Sequence, residues 1–160
     1  MPSKLRIRQM ELDDIQAIRE IENSSFPLPY SDGIWEKEKG NSLSRTLVVV
    51  EERGEGPPEL LGYLNFWLIL DEAEIHRIAV KKKYRRSGVA GMLLQVMFEI
   101  LRDMEIVSVR LEVRQSNHDA INLYEKLGFV LKGRRQGYYQ ETGEDALILE
   151  ADVKMITRTR

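Results

Sequence analysis

Residues 89–101 set Val89, Met92, Leu93, Val96, Met97, Ile100 and Leu101 along one stripe of a helix, between two segments that read as strands. A helix with so complete an apolar stripe has to bury it against another layer, and the strands around it supply a sheet. On the C-terminal side, residues 107–114 alternate strictly: Val109, Leu111 and Val113 face one way, Arg110, Glu112 and Arg114 the other. Upstream, residues 46–51, 60–70 and 73–80 form a meander of three strands, with a turn at residues 54–58. Lys4–Gln9 alternates as a first strand. A helix over residues 12–23 carries Ile15, Ile18, Ile21 and Glu22 at helical spacing, with Asp13 and Asp14 in the first turn, where acids suit the helix dipole. Pro27, Pro29 and Gly33 make residues 26–33 a loop, and a short helix with Trp35 comes next. Ser116 and Asp119 form a capping-box pair opening a helix to about Leu127, which Gly128 ends. Strands near residues 129–134 and 146–153 close the chain, separated by a loop holding Tyr138, Tyr139 and Gly143. The order β-α-α-β-β-β-α-β-α-β-β predicts a mixed α/β sheet with helices on its faces and no domain boundary in residues 1–160.

Several function classes fall away on composition. The 160 residues, 42% of them hydrophobic, suit one domain with a sizeable core. No apolar run approaches the roughly 20 residues of a membrane span, and no apolar block succeeds the charged N-terminus as a secretion signal requires. With no cysteine there is no disulfide, thiolate metal site or cysteine nucleophile; a cytoplasmic protein is the simplest expectation. A formal net charge of −2 argues against a nucleic-acid-coating protein. His76 and His118 are too scattered to suggest a metal site.

Positive charge is concentrated locally, in Lys81, Lys82, Lys83, Arg85 and Arg86 around Tyr84. Such a run is either a solvated loop or a site for a phosphorylated ligand. The segment Arg85-Arg86-Ser87-Gly88-Val89-Ala90-Gly91 enters the striped helix with small residues that would let its backbone approach a ligand closely; read by itself it is equally an ordinary glycine-containing helix start. The first N–H groups of a helix have no internal partner and point at whatever lies beyond the end, a natural seat for a pyrophosphate. Neither the GxxxxGK[ST] nor the GxGxxG pattern is present.

Arg85-x-x-Gly88-x-Ala90 resembles the acetyl-CoA signature of the GCN5-related N-acetyltransferases (GNAT), with Ala90 where the family ordinarily has glycine. The run from Leu111-Glu112-Val113-Arg114-Gln115-Ser116-Asn117 to Ala120-Ile121-Asn122-Leu123-Tyr124-Glu125-Lys126-Leu127-Gly128-Phe129 is very similar to RimI-type N-terminal protein acetyltransferases. Phe26-Pro27, Tyr30-Ser31, Asp71-Glu72-Ala73, Ile78-Ala79-Val80, Tyr138-Tyr139 and Glu144-Asp145-Ala146 continue the likeness along essentially the whole chain.

The resemblance implies the GNAT fold, a mixed and mostly antiparallel sheet of about seven strands flanked by about four helices, as one acetyltransferase domain over residues 1–160. It implies acetyl-CoA as acetyl donor, with no metal. Main-chain groups of Ile78, Ala79 and Val80 would face its acetyl and pantetheine part, and the segment from Arg85 and Arg86 through Ser87, Gly88, Val89 and Ala90 to Gly91 would hold its pyrophosphate. Asn117 matches a position contacting the cofactor, and its other role is helix capping. Glu112 matches the family's general base, against the alternative of pairing with Arg110 or Arg114 on its strand face; Tyr124 matches the general acid, against a packing role with Ala120 and Leu127. Glu74 is a second candidate base, or an exposed strand residue beside Glu72. Tyr30, Tyr138 and Tyr139 match loops flanking the peptide entrance. A base is useful because an α-amine, with a pKa of about 8, is only on the order of one-tenth neutral at pH 7, and a lysine at about 10.4 far less. The implied acceptor is the N-terminal amine of a protein: the alanine of a small-subunit ribosomal protein in RimI-like enzymes, a wider range in archaeal relatives. The alternatives are a small amine or lysine side chain as acceptor, and a non-catalytic acetyl-CoA-binding module.

Overall fold

Where apolar residues alternate along this chain it extends, and where they recur every three or four residues it coils. The computed structural model describes residues 4–156. Its elements are β1 (Lys4–Gln9), α1 (Ile15–Ser25), α2 (Ile34–Gly40), β2 (Ser44–Glu52), β3 (Glu59–Ile69), β4 (Glu72–Val80), α3 (Val89–Asp103), β5 (Ser108–Arg114), α4 (His118–Leu127), β6 (Val130–Tyr139) and β7 (Glu144–Asp152). The seven-stranded sheet runs in the order β1-β2-β3-β4-β5-β7-β6. Its β4–β5 pair is parallel, while β1–β2, β2–β3, β5–β7 and β6–β7 are antiparallel. The mixed, mostly antiparallel sheet with four α-helices matches the expected architecture.

The chain separates into two compact units. The first runs to Trp67 and resumes over Arg77–Val96. Its core gathers Ile15, Ile18 and Ile21 of α1 with Trp35, Val48, Val50, Leu60, Tyr63 and Ala79. The stripe of α1 therefore meets Val48 and Val50 of β2 and Leu60 and Tyr63 of β3, strands that are buried along most of their length. In this unit β2 and β3 slip register between Val49 and Val50, opposite Gly62 and Leu60. Beside that bulge the Lys81 N–H donates to the Leu61 carbonyl at 2.7 Å. The backbone also comes close here: a Cβ on Gly62 would lie 2.9 Å from the Ala79 carbonyl oxygen.

The second unit comprises Leu68–His76 and the chain from Met97 onward. Its parallel pairing aligns Glu72 with Ser108 and Ile75 with Leu111, and β7 pairs with β5 from Asp152 opposite Ser108 to Ala146 opposite Arg114. Val109, Leu111 and Val113 are buried, as their alternation requires. Phe129 packs against Phe98 and Tyr124, with ring centroids 5.9 and 5.4 Å apart.

Local details correct the sequence reading at three places. The helix expected over residues 12–23 begins as a 3-10 turn, Leu12–Asp14, before α1. Asp14 holds that turn by accepting from the Glu11 N–H at 2.7 Å and from Arg8 at 2.7 and 3.0 Å. The cap of α4 is Asn117, not Ser116: its side-chain oxygen accepts from the Ala120 N–H at 3.3 Å, the Ser116 residue being one position too early for that geometry. Gly128 ends α4 at φ 111°, as expected. Tyr138 and Tyr139 lie at the end of β6 rather than in a loop. Gly137, at φ 57°, accompanies an irregularity after Arg135, and Tyr139 rejoins the ladder opposite Glu144.

Candidate functional site

In the first unit, β4 ends in the half-buried Ile78 and the buried Ala79 and Val80. The chain then makes a 3-10 turn, Lys82–Tyr84, and passes through Arg85 to Gly88 before entering α3. Two left-handed residues, Arg86 at φ 63° and Gly88 at φ 86°, shape this passage. No atom lies within 4 Å of a Cβ built on Gly88, so its backbone conformation, not crowding, is what asks for glycine. The Gly88 carbonyl accepts from the Met92 N–H at 3.0 Å, which closes the first turn of α3. The N–H groups of Val89, Ala90 and Gly91 thus fall in that turn, where a helix leaves its donors without internal partners. Ser87 is tied back by its hydroxyl, which donates to the Tyr84 carbonyl.

The basic cluster is organised differently from its appearance in sequence. Glu59, at the start of β3, accepts from Lys81 at 2.9 Å and from the Tyr84 hydroxyl at 2.7 Å, with Lys83 at 3.3 Å and Arg53 also against it. Burial would raise the Glu59 carboxyl, but Lys81, Tyr84 and Lys83 together hold it down to about 2. Arg85 turns inward, donating from Nε to the Val80 carbonyl and from Nη2 to the Ser25 hydroxyl, each at 3.0 Å. Lys81, Lys83 and Arg85 therefore brace the turn and the end of β4. The sequence alone did not reveal Glu59 as the counter-ion of Lys81 and Lys83, because β3 brings it there from more than twenty residues away.

Tyr30 also belongs to the first unit. Its N–H donates to Glu22 at 2.8 Å, and its ring lies 5.5 Å from Trp35 and 4.2 Å from the Arg77 guanidinium. Burial raises its phenol above the ordinary value. Glu22 and Arg77 were missed as functional candidates, although the sequence carried a signal: a carboxylate on the isoleucine stripe of a helix needs a buried partner.

The second unit holds the remaining candidates. Glu112, in the middle of β5, accepts from Arg135 Nε at 2.7 Å, so its partner lies on β6 and not at Arg110 or Arg114. Arg114 is instead engaged by Glu141 and Thr142 and stacks 3.9 Å from the Tyr139 ring centre. Tyr138 and Tyr139 meet edge to face at 5.2 Å, and the Arg135 guanidinium is 5.8 Å from the Tyr138 ring. Tyr124, only 4% exposed, packs edge-on against Phe129, and burial pushes its phenol well up from the ordinary value. At neutral pH it keeps its proton, the form a general acid needs. Glu74 is 3.4 Å from His76 Nε2. Asn117 spends its side-chain oxygen on the α4 cap. Among the described residues no group of three His, Asp or Glu side chains is placed to hold a metal, and no helix is long and apolar enough to cross a membrane.

The first turn of α3 behind Gly88, on a strand end buried at Ala79 and Val80, is the arrangement that the sequence likeness assigned to acetyl-CoA. The sequence model of the acetyltransferase (GNAT) family matches residues 15–129. The chain belongs to the acetyltransferase (GNAT) family. As a member of it, the chain is an acetyl-CoA-dependent N-acetyltransferase. Among relatives, a Bacillus subtilis protein provisionally named as a [ribosomal protein bS18]-alanine N-acetyltransferase is 36% identical over 149 residues, covering 93% of this chain and 96% of its own. The Escherichia coli [ribosomal protein bS18]-alanine N-acetyltransferase is 30% identical, covering 93% and 98%. A crystal structure of the Escherichia coli ribosomal-protein-S18-alanine N-acetyltransferase superposes with a TM-score of 0.84 at 27% identity, covering 98% of this chain and 99% of that one. The structure of Arabidopsis thaliana NAA60 with acetyl-CoA shares the fold, with a TM-score of 0.86 at 19% identity and coverage of 94% and 99%.

Proposed function

We propose that this acetyltransferase acts as one catalytic domain on the N-terminal α-amine of a protein, with the N-terminal alanine of a ribosomal protein as its first acceptor class. The observation that carries the proposal is the likeness, over nearly the full length of each chain, to proteins named for acetylating the alanine of ribosomal protein bS18. A cytoplasmic place of action goes with such an acceptor.

The site residues divide the work of the transfer. The segment from Arg86 to Gly91, with the N–H donors of the first turn of α3, holds the pyrophosphate of acetyl-CoA, Gly88 supplying the left-handed turn into the helix. Arg85 braces the Val80 carbonyl and so fixes the end of the strand on which Ile78 and Ala79 meet the pantetheine and thioester. Tyr30, Tyr138 and Tyr139 receive the acceptor, and Glu74 is a second candidate base. Glu112, aligned by Arg135, takes the amine's proton through water as its nitrogen bonds to the thioester carbon. The carbon–sulfur bond then breaks, and Tyr124 gives its phenolic proton to the departing CoA thiolate. Asn117 fixes the start of the helix that carries Tyr124.

The test mixes the protein and acetyl-CoA with peptides beginning Ala, Ser, Met or acetyl-Ala, each with an internal lysine. Thiol release and fragment masses report rate and site together. The α-amine alone is expected to react; modification of lysine in the blocked peptide would move the acceptor to a side chain, and no thiol release with any peptide would overturn the proposal.

A further inference from the structure

One buried ionic cluster in the first unit lies outside the residues assigned above to acetyl-CoA and to proton transfer. Glu22 leaves the last turns of α1 with its side chain 2% exposed, and four donors converge on it. Arg77 Nε and the Tyr63 hydroxyl reach Oε1 at 2.8 and 2.5 Å, and Arg77 Nη2 and the Tyr30 N–H reach Oε2 at 3.0 and 2.8 Å. The Arg77 guanidinium also lies 3.7 Å from the Phe26 ring centre and 4.2 Å from that of Tyr30, and its Nη2 donates to the Leu28 carbonyl at 3.0 Å. Burial would raise the Glu22 carboxyl, yet Arg77, Tyr63 and the Tyr30 amide hold it below its ordinary value.

A pair buried this deeply does little for stability that well-packed apolar residues would not do as well. What it supplies is geometry. The loop from Phe26 to Tyr30 contains Pro27 and Pro29, which have no N–H to donate. The Arg77 guanidinium holds the loop through an acceptor and two rings instead: it donates to the Leu28 carbonyl and lies against Phe26 and Tyr30, while its own backbone is the residue of β4 before Ile78. Glu22 fixes the guanidinium and the Tyr30 amide with the same carboxylate.

We propose that Arg77, anchored by Glu22, is a positioning residue for the acceptor: it sets the loop of Phe26, Leu28 and Tyr30 on β4, and so determines how tightly a peptide N-terminus is received. This rests on the reading of Tyr30 as part of the acceptor entrance. Arg77→Lys keeps a charge for Glu22 but loses the flat surface between the two rings and the fork that reaches Leu28. Steady-state kinetics with an Ala-first peptide should show its KM raised on the order of tenfold, with kcat and the KM for acetyl-CoA within about twofold of wild type. The double variant Glu22→Leu with Arg77→Leu removes the ions together; because the Tyr63 hydroxyl and the Tyr30 N–H lose their acceptor, its unfolding temperature should fall by several degrees, and it should show the same rise in peptide KM. A wild-type peptide KM in Arg77→Lys, or a parallel rise in the KM for acetyl-CoA, would overturn this inference while leaving α-amine acetylation intact. Absence of α-amine acetylation by the wild-type chain would overturn the proposed function, and this inference with it.

Discussion

Replacing Gly62 by alanine opposes two effects of known sign. Gly62 has no positive φ, so a side chain meets no backbone penalty there, and a chain-entropy argument alone would make Gly62→Ala stabilising by about 0.4–1 kcal/mol. The added Cβ, however, would stand 2.9 Å from the Ala79 carbonyl oxygen and 3.4 Å from Val80. Ordinary contact begins at 3.4 Å, so about half an ångström must be found. The obstructing atom is backbone and has no rotamer to retreat into. Overpacking of this kind costs about 1–3 kcal/mol, which outweighs the entropic gain. A net loss of about 1–2 kcal/mol corresponds to a fall in Tm of roughly 2–8 °C for a chain of this length. The residues pushed aside are those proposed to face the thioester, and since a 1 Å misplacement can cost about a hundredfold, half that shift should lower kcat/KM about tenfold. Thermal unfolding and thiol-release kinetics measure both effects. Gly133→Ala is the control, because its Cβ would meet only the Ile148 Cδ1 at 3.5 Å. A Gly62→Ala protein at least as stable as wild type and equally active would refute the argument that backbone crowding fixes the end of β4.

Glu59 is held down to about 2 against its ordinary 4.5, so its charge stabilises the fold fully above about pH 4.5, a contribution lost as pH falls towards 2. In acid unfolding monitored by circular dichroism, the gap between wild type and Glu59→Gln should narrow across that window; a constant gap would remove Glu59 from the account. Glu112→Gln should slow acetylation most at low pH, where neutral amine is scarce, and an unchanged pH–rate profile would take the base role from it. Tyr124→Phe keeps the ring against Phe129 and should leave Tm within a few degrees while kcat falls about 100- to 10,000-fold; wild-type kcat would assign Tyr124 to packing alone.

The sequence by itself determined the elements, because each is written in local periodicity. The isoleucines of α1, the stripe of α3 and the alternation of β5 each fix a face, and Gly88 and Gly128 occupy left-handed positions next to helix ends. It also carried the family, since the motif around Gly88 and the run from Glu112 to Phe129 are contiguous. What it left open was every pairing between distant segments. The alternative to a base role for Glu112 was pairing along its own strand, yet β7 lies between β5 and β6 and lets Arg135 reach it across the sheet. Lys81 and Lys83 belonged to a basic run that read either as a solvated loop or as a ligand site, and β3 brings Glu59 to them instead. Glu22 was visible as a carboxylate on an apolar face, but nothing local named Arg77 as its partner. Periodicity is a property of neighbours in the chain, whereas the partner of a buried charge is chosen by strand order and register, which only the folded sheet decides.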